Sequence, residues 1–430
     1  MLFQKNPNFC GGYYGLFYMK HIFILFVTAC LALSATAQRA RKAVFMIVDG
    51  IPADVLEKVA TPVLDSIAKV GGYARAYVGG EKGGYSQTPT ISAVGYNSLL
   101  TGTWVNKHNV WGNDIKAPNY AYHNLFRLME TQYPAKKTAI FSTWLDNRTK
   151  LVGEGLPAAG NIRLDHYVDG LELDTVRYPH DKDSRYIHLI DEEVTNQTAA
   201  YIRTEAPDLT WVYLEYTDDM GHRYGDGDRM YKAVEMMDNQ VGRIWQSMEY
   251  RRKQFKEDWV IYITTDHGRD STTGKNHGGQ STRERTTWIV TSAQQLNDYF
   301  RKHQPGIVDI MPSVASFLHL TPARAQQMEI DGVSLTGKVS AVQPQAVYDN
   351  GKIHVQWKAL EKKGDVKIWV ATTNRFKEGG SDDYTLMTTT PLQKGAATID
   401  VSQLPADFYK IVIEAPHNML NRWIVLKNKQ

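Results

Sequence analysis

Cysteine is almost missing from this chain: its 430 residues hold 2, Cys10 and Cys30, both near the N-terminus. Beyond Cys30 there is no thiol, which excludes a disulfide-stapled scaffold and any thiolate metal site. An excess of charge of one sign is also lacking. Lys and Arg number 49 against 46 Asp and Glu, a net +3, which falls to about +1 if Lys5 and Lys20 leave with a leader. No basic tract of the kind that binds nucleic acid by counterion release is present, so no nucleic-acid partner is expected. No later apolar stretch is long enough to span a membrane. The early one, Ile22 to Val27 after Met19-Lys20-His21, followed by Ala35-Thr36-Ala37-Gln38, has the layout of a secretory signal peptide cleaved after Ala37. Residues 1–37 are therefore assigned to a leader, with Met19 the better leader start. Cys30 resembles a lipoprotein cleavage site, but the apolar run after it argues against lipidation. The expected location is periplasmic or secreted.

Three hydrophobic runs each end in metal-ligand chemistry. Ala43 to Val48 ends in Asp49-Gly50, Leu209 to Thr217 in Asp218-Asp219-Met220-Gly221-His222, and Trp259 to Thr265 in Asp266-His267-Gly268, with His277-Gly278-Gly279 shortly after. Near-continuous β-branched and aromatic runs indicate strands buried on both faces, as in a mostly parallel sheet flanked by helices on both faces. Ligands of such sheets bind outside the carboxyl ends of the strands. One Asp-Gly or Asp-His pair is ordinary turn or cap chemistry. Several of them, each just past a strand of one sheet, point to a metal centre. The set is three Asp and three His, which suits zinc, or manganese and magnesium among harder ions. Six ligands exceed what one tetrahedral zinc takes, so two adjacent divalent ions are expected.

A nucleophile is available in Tyr85-Ser86-Gln87-Thr88-Pro89-Thr90-Ile91-Ser92. Ala93 to Thr101 has the pattern of a short helix closed by Gly102. Ser92 then lies at a helix N-terminus, where free amides favour an anion. Its plain alternative role is that of a capping residue, and Thr88 and Thr90 are competing hydroxyls in the same loop.

From about Lys42 to about Leu335 the chain resembles the alkaline phosphatase superfamily, and within it the type I phosphodiesterase/nucleotide pyrophosphatase branch. Asp49 matches that family's first metal-binding Asp. Pro89-Thr90-Ile91-Ser92 with Gly102 matches its nucleophile segment and singles out Ser92 over Thr90. Asp218 and His222 match its Asp-x-x-Gly-His, Asp266 and His267 its Asp-His-Gly, and His277 its late metal-binding His. Thr61-Pro62-Val63-Leu64-Asp65, Asp309 to Val314 and Asp331-Gly332 look like further family segments. The resemblance implies one ion on Asp218, His222 and His277, and another on Asp49, Asp266 and His267 with Ser92 bridging toward it. It also implies a two-step in-line displacement on small phosphate esters such as nucleotides.

Departures from the family bear on the substrate. The branch usually has Thr as nucleophile and Asn three residues on; here these are Ser92 and Gly95, with Asn113 a weak candidate for the phosphate-oxygen contact. His277 follows Asp266 at shorter spacing, and the cap region, from about Ser142 to Glu193, is expected to differ. The Pro and Arg of the sulfatase motif are absent after Ser92. No basic residue lies between Thr88 and Trp104 to clamp a dianion, and Arg148 and Lys150 are the candidates to reach in from the cap. A diester needs less clamping, so it is favoured over a monoester. The alternatives are an alkaline phosphatase-type monoesterase, a sulfatase, or a non-catalytic surface protein.

Beyond Leu335 the pattern changes. Val347 to Trp357, Val366 to Thr372, Ala397 to Val401 and Phe408 to Glu414 read as short strands between turns. A β-sandwich of about seven strands, of immunoglobulin or fibronectin III type, is expected over 343–430, after a catalytic domain over 40–340. Trp357, Trp369 and Trp423 are assigned to its packing.

Overall fold

Strands buried on both faces need apolar side chains at successive positions, and β1 (Arg41–Val48) shows the outcome. Ala43, Phe45 and Ile47 enter one core, with the helices Ser92–Thr101 and Leu125–Gln132; Val44, Met46 and Val48 enter another, with the helices Arg185–Glu205 and Asp228–Phe255. The structure, a computed structural model, describes Met1, Gln4 and residues 39–426; the proposed cleavage site after Ala37 and the apolar run before it lie outside the described residues. Six further strands complete the sheet: β2 (Gly72–Tyr77), β3 (Thr138–Ser142), β4 (His166–Val168), β5 (Leu209–Leu214), β6 (Asp258–Thr264) and β7 (Thr286–Thr291). Their order is β2-β7-β6-β1-β5-β3-β4. The five from β6 to β4 run parallel, whereas β7 and β2 close one edge antiparallel. This is the expected mostly parallel sheet flanked by helices on both faces.

The register positions the site. Val48 pairs with Leu214 and Ile47 with Thr264, so β1, β5 and β6 end at the same level. Whatever follows these three adjacent strands emerges at one edge. Helix Pro62–Val70 begins with proline at its first turn. The Asp238 carboxylate accepts from its Val63 and Leu64 amides at 3.1 and 2.9 Å, which fixes that helix end against a long neighbour.

Seven antiparallel strands follow: β8 (Ala341–Asp349), β9 (Lys352–Ala359), β10 (Asp365–Ala371), β11 (Thr385–Pro391), β12 (Ala396–Asp400), β13 (Phe408–Glu414) and β14 (Met419–Val425). They form two sheets, β12-β9-β8 and β11-β10-β13-β14, a β-sandwich. The run Val347 to Trp357, expected as one strand, is a hairpin. Asn350 and Gly351 both have positive φ, 44° and 79°, as a tight two-residue turn requires. Early in β13, Tyr409 turns its hydroxyl back to donate to the Leu404 carbonyl at 2.9 Å and accept from the Ala406 amide at 3.0 Å. A tyrosine hydroxyl bonded back to its own upstream backbone in this way is a tyrosine corner. Trp357 and Trp423 are buried, and Trp423 stacks on Tyr85, in the loop that leads to Ser92, at 5.7 Å. The fully buried Lys107 ammonium ties the two regions, donating to Glu329 O, Asp331 Oδ1 and Asn421 Oδ1 at 2.6, 2.6 and 2.7 Å. Among the described residues, no helix is long and apolar enough to cross a membrane.

Candidate active site

The ends of β1, β5 and β6 deliver Asp49, Asp218 and Asp266 to one place. Asp49 turns out of β1 at Gly50, whose φ of 68° suits glycine. Its Oδ2 accepts from the Tyr213 hydroxyl at 2.7 Å and from the Tyr96 hydroxyl, so two phenols hold one oxygen and leave the other exposed to the site. The Gly50 amide donates to Asp266 Oδ1 at 3.2 Å, which locks the two turns together. After β5 the chain enters helix Tyr216–Tyr224, and the four-residue spacing puts Asp218 Oδ2 and His222 Nε2 3.2 Å apart on one helix face.

His277 arrives from a loop set by Asp270, whose carboxylate accepts from the amides of Thr272, Thr273 and Asn276. The His277 ring stacks on His267 at 3.6 Å. Nδ1 of His277 lies 2.8 Å from Thr90 O, and Nδ1 of His267 lies 2.9 Å from Gly268 O. With Nδ1–H donating to a carbonyl, each ring presents a bare Nε2, the tautomer that ligates metal. Nε2 of His277 faces Nε2 of His222 at 3.1 Å. Nε2 of His267 lies 3.3 Å from Asp266 Oδ2 and 3.4 Å from Asp49 Oδ1.

Three of these atoms, Asp49 Oδ1, Asp266 Oδ2 and His267 Nε2, are buried with no hydrogen-bond partner among the described residues. Buried polar atoms of a native site are ordinarily satisfied. Burial, then the charge of Asp218, pushes Asp49 up to about 7. Burial, then Asp49 and Asp218, pushes Asp266 well above the usual carboxylate range. Burial would raise Asp218 too, but His222 and the Arg269 guanidinium hold it low. Burial and His277 push His267 well down, so its ring is neutral. Crowded carboxylates facing bare imidazole nitrogens fit divalent cations, and the donors form two groups compact enough to hold an ion: Asp218, His222 and His277, and Asp49, Asp218 and His267. Asp218 belongs to both, while Asp266 borders the second through His267.

The loop that carries Ser92 meets this cluster on both sides of that residue. Thr90 and Ile91 contact His277 and Gly278. One helical turn on, a Cβ at Gly95 would lie 2.9 Å from the Asp266 backbone carbonyl, so the helix approaches Asp266 as only glycine permits. Ser92 is the first residue of helix Ser92–Thr101 rather than its cap; Ile91 holds the cap position, and no side chain caps that end from there. The competing hydroxyls are engaged elsewhere. Thr90 Oγ1 donates to Gly279 O and accepts from the Gly278 amide, both at 2.9 Å. Thr88 Oγ1 donates to Ser86 O at 2.9 Å.

A match to the family model described as type I phosphodiesterase/nucleotide pyrophosphatase covers residues 43–371. The chain belongs to this family. No curated protein matches it significantly. Similar solved structures include human ectonucleotide pyrophosphatase/phosphodiesterase 5, at 14% identity and TM-score 0.48, covering 66% of this chain and 96% of that one. The phosphonate monoester hydrolase of Agrobacterium radiobacter matches at 12% identity and TM-score 0.47, over 90% and 89% of the two chains. A 2-O glycosaminoglycan sulfatase matches at 10% and 0.45, over 85% and 86%. These likenesses are too distant to carry a function.

One feature of this family member was not legible beforehand. Arg269, fully buried, donates to Gly50 O at 2.9 Å, to Lys275 O at 2.9 Å, to Asp218 O at 2.8 Å and to the Asp218 carboxylate. A Cβ on Gly221 would strike its guanidinium, which is the steric reason for glycine in Asp-x-x-Gly-His here. Asn113, a candidate from the sequence, does reach the helix that Ser92 begins: its Oδ1 accepts from the Ala93 amide at 3.0 Å. Arg148 and Lys150 are committed elsewhere. Arg148 pairs with Asp169 and Glu154, each at 2.6 Å, and Lys150 with Asp146 at 2.7 Å.

Proposed function

We propose that this chain is an exported, two-metal phosphodiesterase/nucleotide pyrophosphatase whose nucleophile is Ser92. Asp218, His222 and His277 would hold one divalent ion, and Asp49, Asp266 and His267 the other, with zinc the best match to the imidazoles. Such ions supply positive charge for a phosphoryl oxygen and lower the pKa of a bound hydroxyl or water. The protein's own groups do the rest. Ser92 Oγ forms a bond to phosphorus, the P–O bond to the leaving group breaks, and water then cleaves the phosphoserine to regenerate the hydroxyl. Tyr96 and Tyr213 keep Asp49 Oδ1 turned to the site. Asn113, with its carbonyl on the Ala93 amide, has its –NH₂ left to hold a phosphoryl oxygen.

The observation that carries this reading is the trio of buried, partnerless ligand atoms beside a serine whose rival hydroxyls are occupied. The commitment of Arg148 and Lys150 to carboxylates favours a diester, because neither is left to clamp a second negative charge. Family membership supports nucleotide-type esters as the substrate class. Export rests on residues 19–38 of the sequence. We also assign 40–340 as the catalytic domain and 343–430 as an immunoglobulin- or fibronectin III-type module, the latter supported by the tyrosine corner. Purified protein should hydrolyse bis(nitrophenyl) phosphate faster than nitrophenyl phosphate and lose both activities to a chelator. Faster monoester turnover would replace the diesterase reading with the phosphatase one.

A further inference from the structure

Between the catalytic region and the sandwich lies a cavity of about 270 Å³, walled by Glu329, Asp382, Trp369, Phe376 and Tyr384, with Arg324 at one side. It is remote in sequence from the metal-ligand motifs. Two carboxylates serve one cation there. The Lys410 ammonium donates to Glu329 Oε1 at 2.5 Å and to Asp382 Oδ2 at 2.7 Å, and all three side chains are at most 2% exposed. Arg324 is neutralised by Glu414 at 2.9 Å. One negative charge is therefore left over. Its location is marked, because Glu329 Oε2 is buried and has no hydrogen-bond partner among the described residues. An unpaired buried carboxylate oxygen costs several kcal/mol in general and calls for a donor.

The walls suit a cation. Arg324 lies 5.4 Å from the Trp369 ring centroid and Lys410 lies 6.0 Å from that of Phe376, so both rings already face positive charge. The volume is that of roughly nine waters at ~30 Å³ each, which limits the occupant to a small molecule.

We propose that this cavity binds a small primary ammonium compound, its N–H donors on Glu329 Oε2 and its short apolar body against Trp369 and Phe376. A primary ammonium brings the missing charge and a hydrogen-bond donor together; a neutral alcohol brings the donor alone.

The test is isothermal titration calorimetry of the full chain with propylammonium chloride, with 1-propanol as the neutral counterpart. Expected is saturable propylammonium binding with Kd at or below about 1 mM, and none for the alcohol. Glu329→Gln should weaken the ammonium at least ~10-fold, and Phe376→Leu, which keeps both carboxylates, at least ~3-fold. Neither should alter diester turnover, since neither residue touches the strand-end site. Absence of saturable binding, equal binding of the alcohol, or unchanged affinity in folded Glu329→Gln would overturn the proposal. If Glu329→Gln does not fold, unchanged affinity in Phe376→Leu does so.

Discussion

Replacing Tyr96 by Phe removes one buried hydroxyl and leaves the ring in place. That ring is fully buried and packs on Tyr213 at 5.0 Å. Asp49 Oδ2 then keeps only the Tyr213 hydroxyl, at 2.7 Å. A hydrogen bond to a charged acceptor is worth about 1.5–3 kcal/mol, or roughly 10- to 150-fold in an equilibrium constant. Groups that orient a metal ligand typically change metal affinity by ~10–100-fold, so the two scales agree. Zinc affinity measured by chelator competition should therefore fall ~10–100-fold in Tyr96→Phe, with turnover recovering at saturating metal. Tyr96→Phe/Tyr213→Phe should lose more than the product of the single losses, because each hydroxyl partly covers for the other on the same oxygen. Denaturant unfolding of each variant separates this from loss of fold. Wild-type metal affinity in the folded double variant would refute the reasoning, since Asp49 would then need neither phenol to act as a ligand.

Ser92→Ala should abolish turnover by several orders of magnitude while both metals stay bound, as ICP mass spectrometry would report. Thr90→Val loses the bonds to Gly279 O and the Gly278 amide and should cost about 1–2 kcal/mol of stability in urea unfolding while retaining turnover, because Ser92 remains. Lys107→Met strands the Asp331 carboxylate at the catalytic–sandwich junction, a loss of about 3–5 kcal/mol by the same assay. Above the histidine range, metal-free protein should go on losing stability as pH rises from about 6.5 to about 7.5 and then level off. Asp49 and Asp309 are raised to about 7 in the folded state, chiefly by burial. A raised carboxylate contributes stability below its unfolded pKa that is lost as pH climbs through the folded one. Thermal melts across that range should show the decline, and added zinc should flatten it; a flat metal-free profile would count against these shifts.

The strand ends and the carboxylates and imidazoles gathered there were legible because both signals are local. Uninterrupted apolar runs mark two-sided strands, and Asp218 and His222 are spaced for one helix face. The helix behind Ser92 was legible from Gly102, which takes the left-handed φ of 67° there. What supports the ligands was not. Tyr96 and Tyr213 reach Asp49 across 47 and 164 positions, and Arg269 reaches Gly50 across 219, so no spacing betrays them. The antiparallel edge formed by β7 and β2 also depends on pairing between distant segments. The hairpin at Asn350-Gly351 is different: its turn dipeptide was in plain view and was overridden by the β-branched residues around it. From the residues alone Thr90 looked as reactive as Ser92; the family resemblance favoured Ser92, and the bonds of Thr90 to the His277 loop support that choice.

The central claim is a two-metal serine hydrolase site at the ends of β1, β5 and β6. Its most direct test is the metal content of the purified chain, measured by ICP mass spectrometry beside His222→Ala and Asp266→Ala. The account predicts about two equivalents of divalent transition metal in the wild type and a clear deficit in each variant, since each supplies a ligand. A wild-type chain that takes up no such metal when supplied with zinc or manganese, yet is folded, would contradict it.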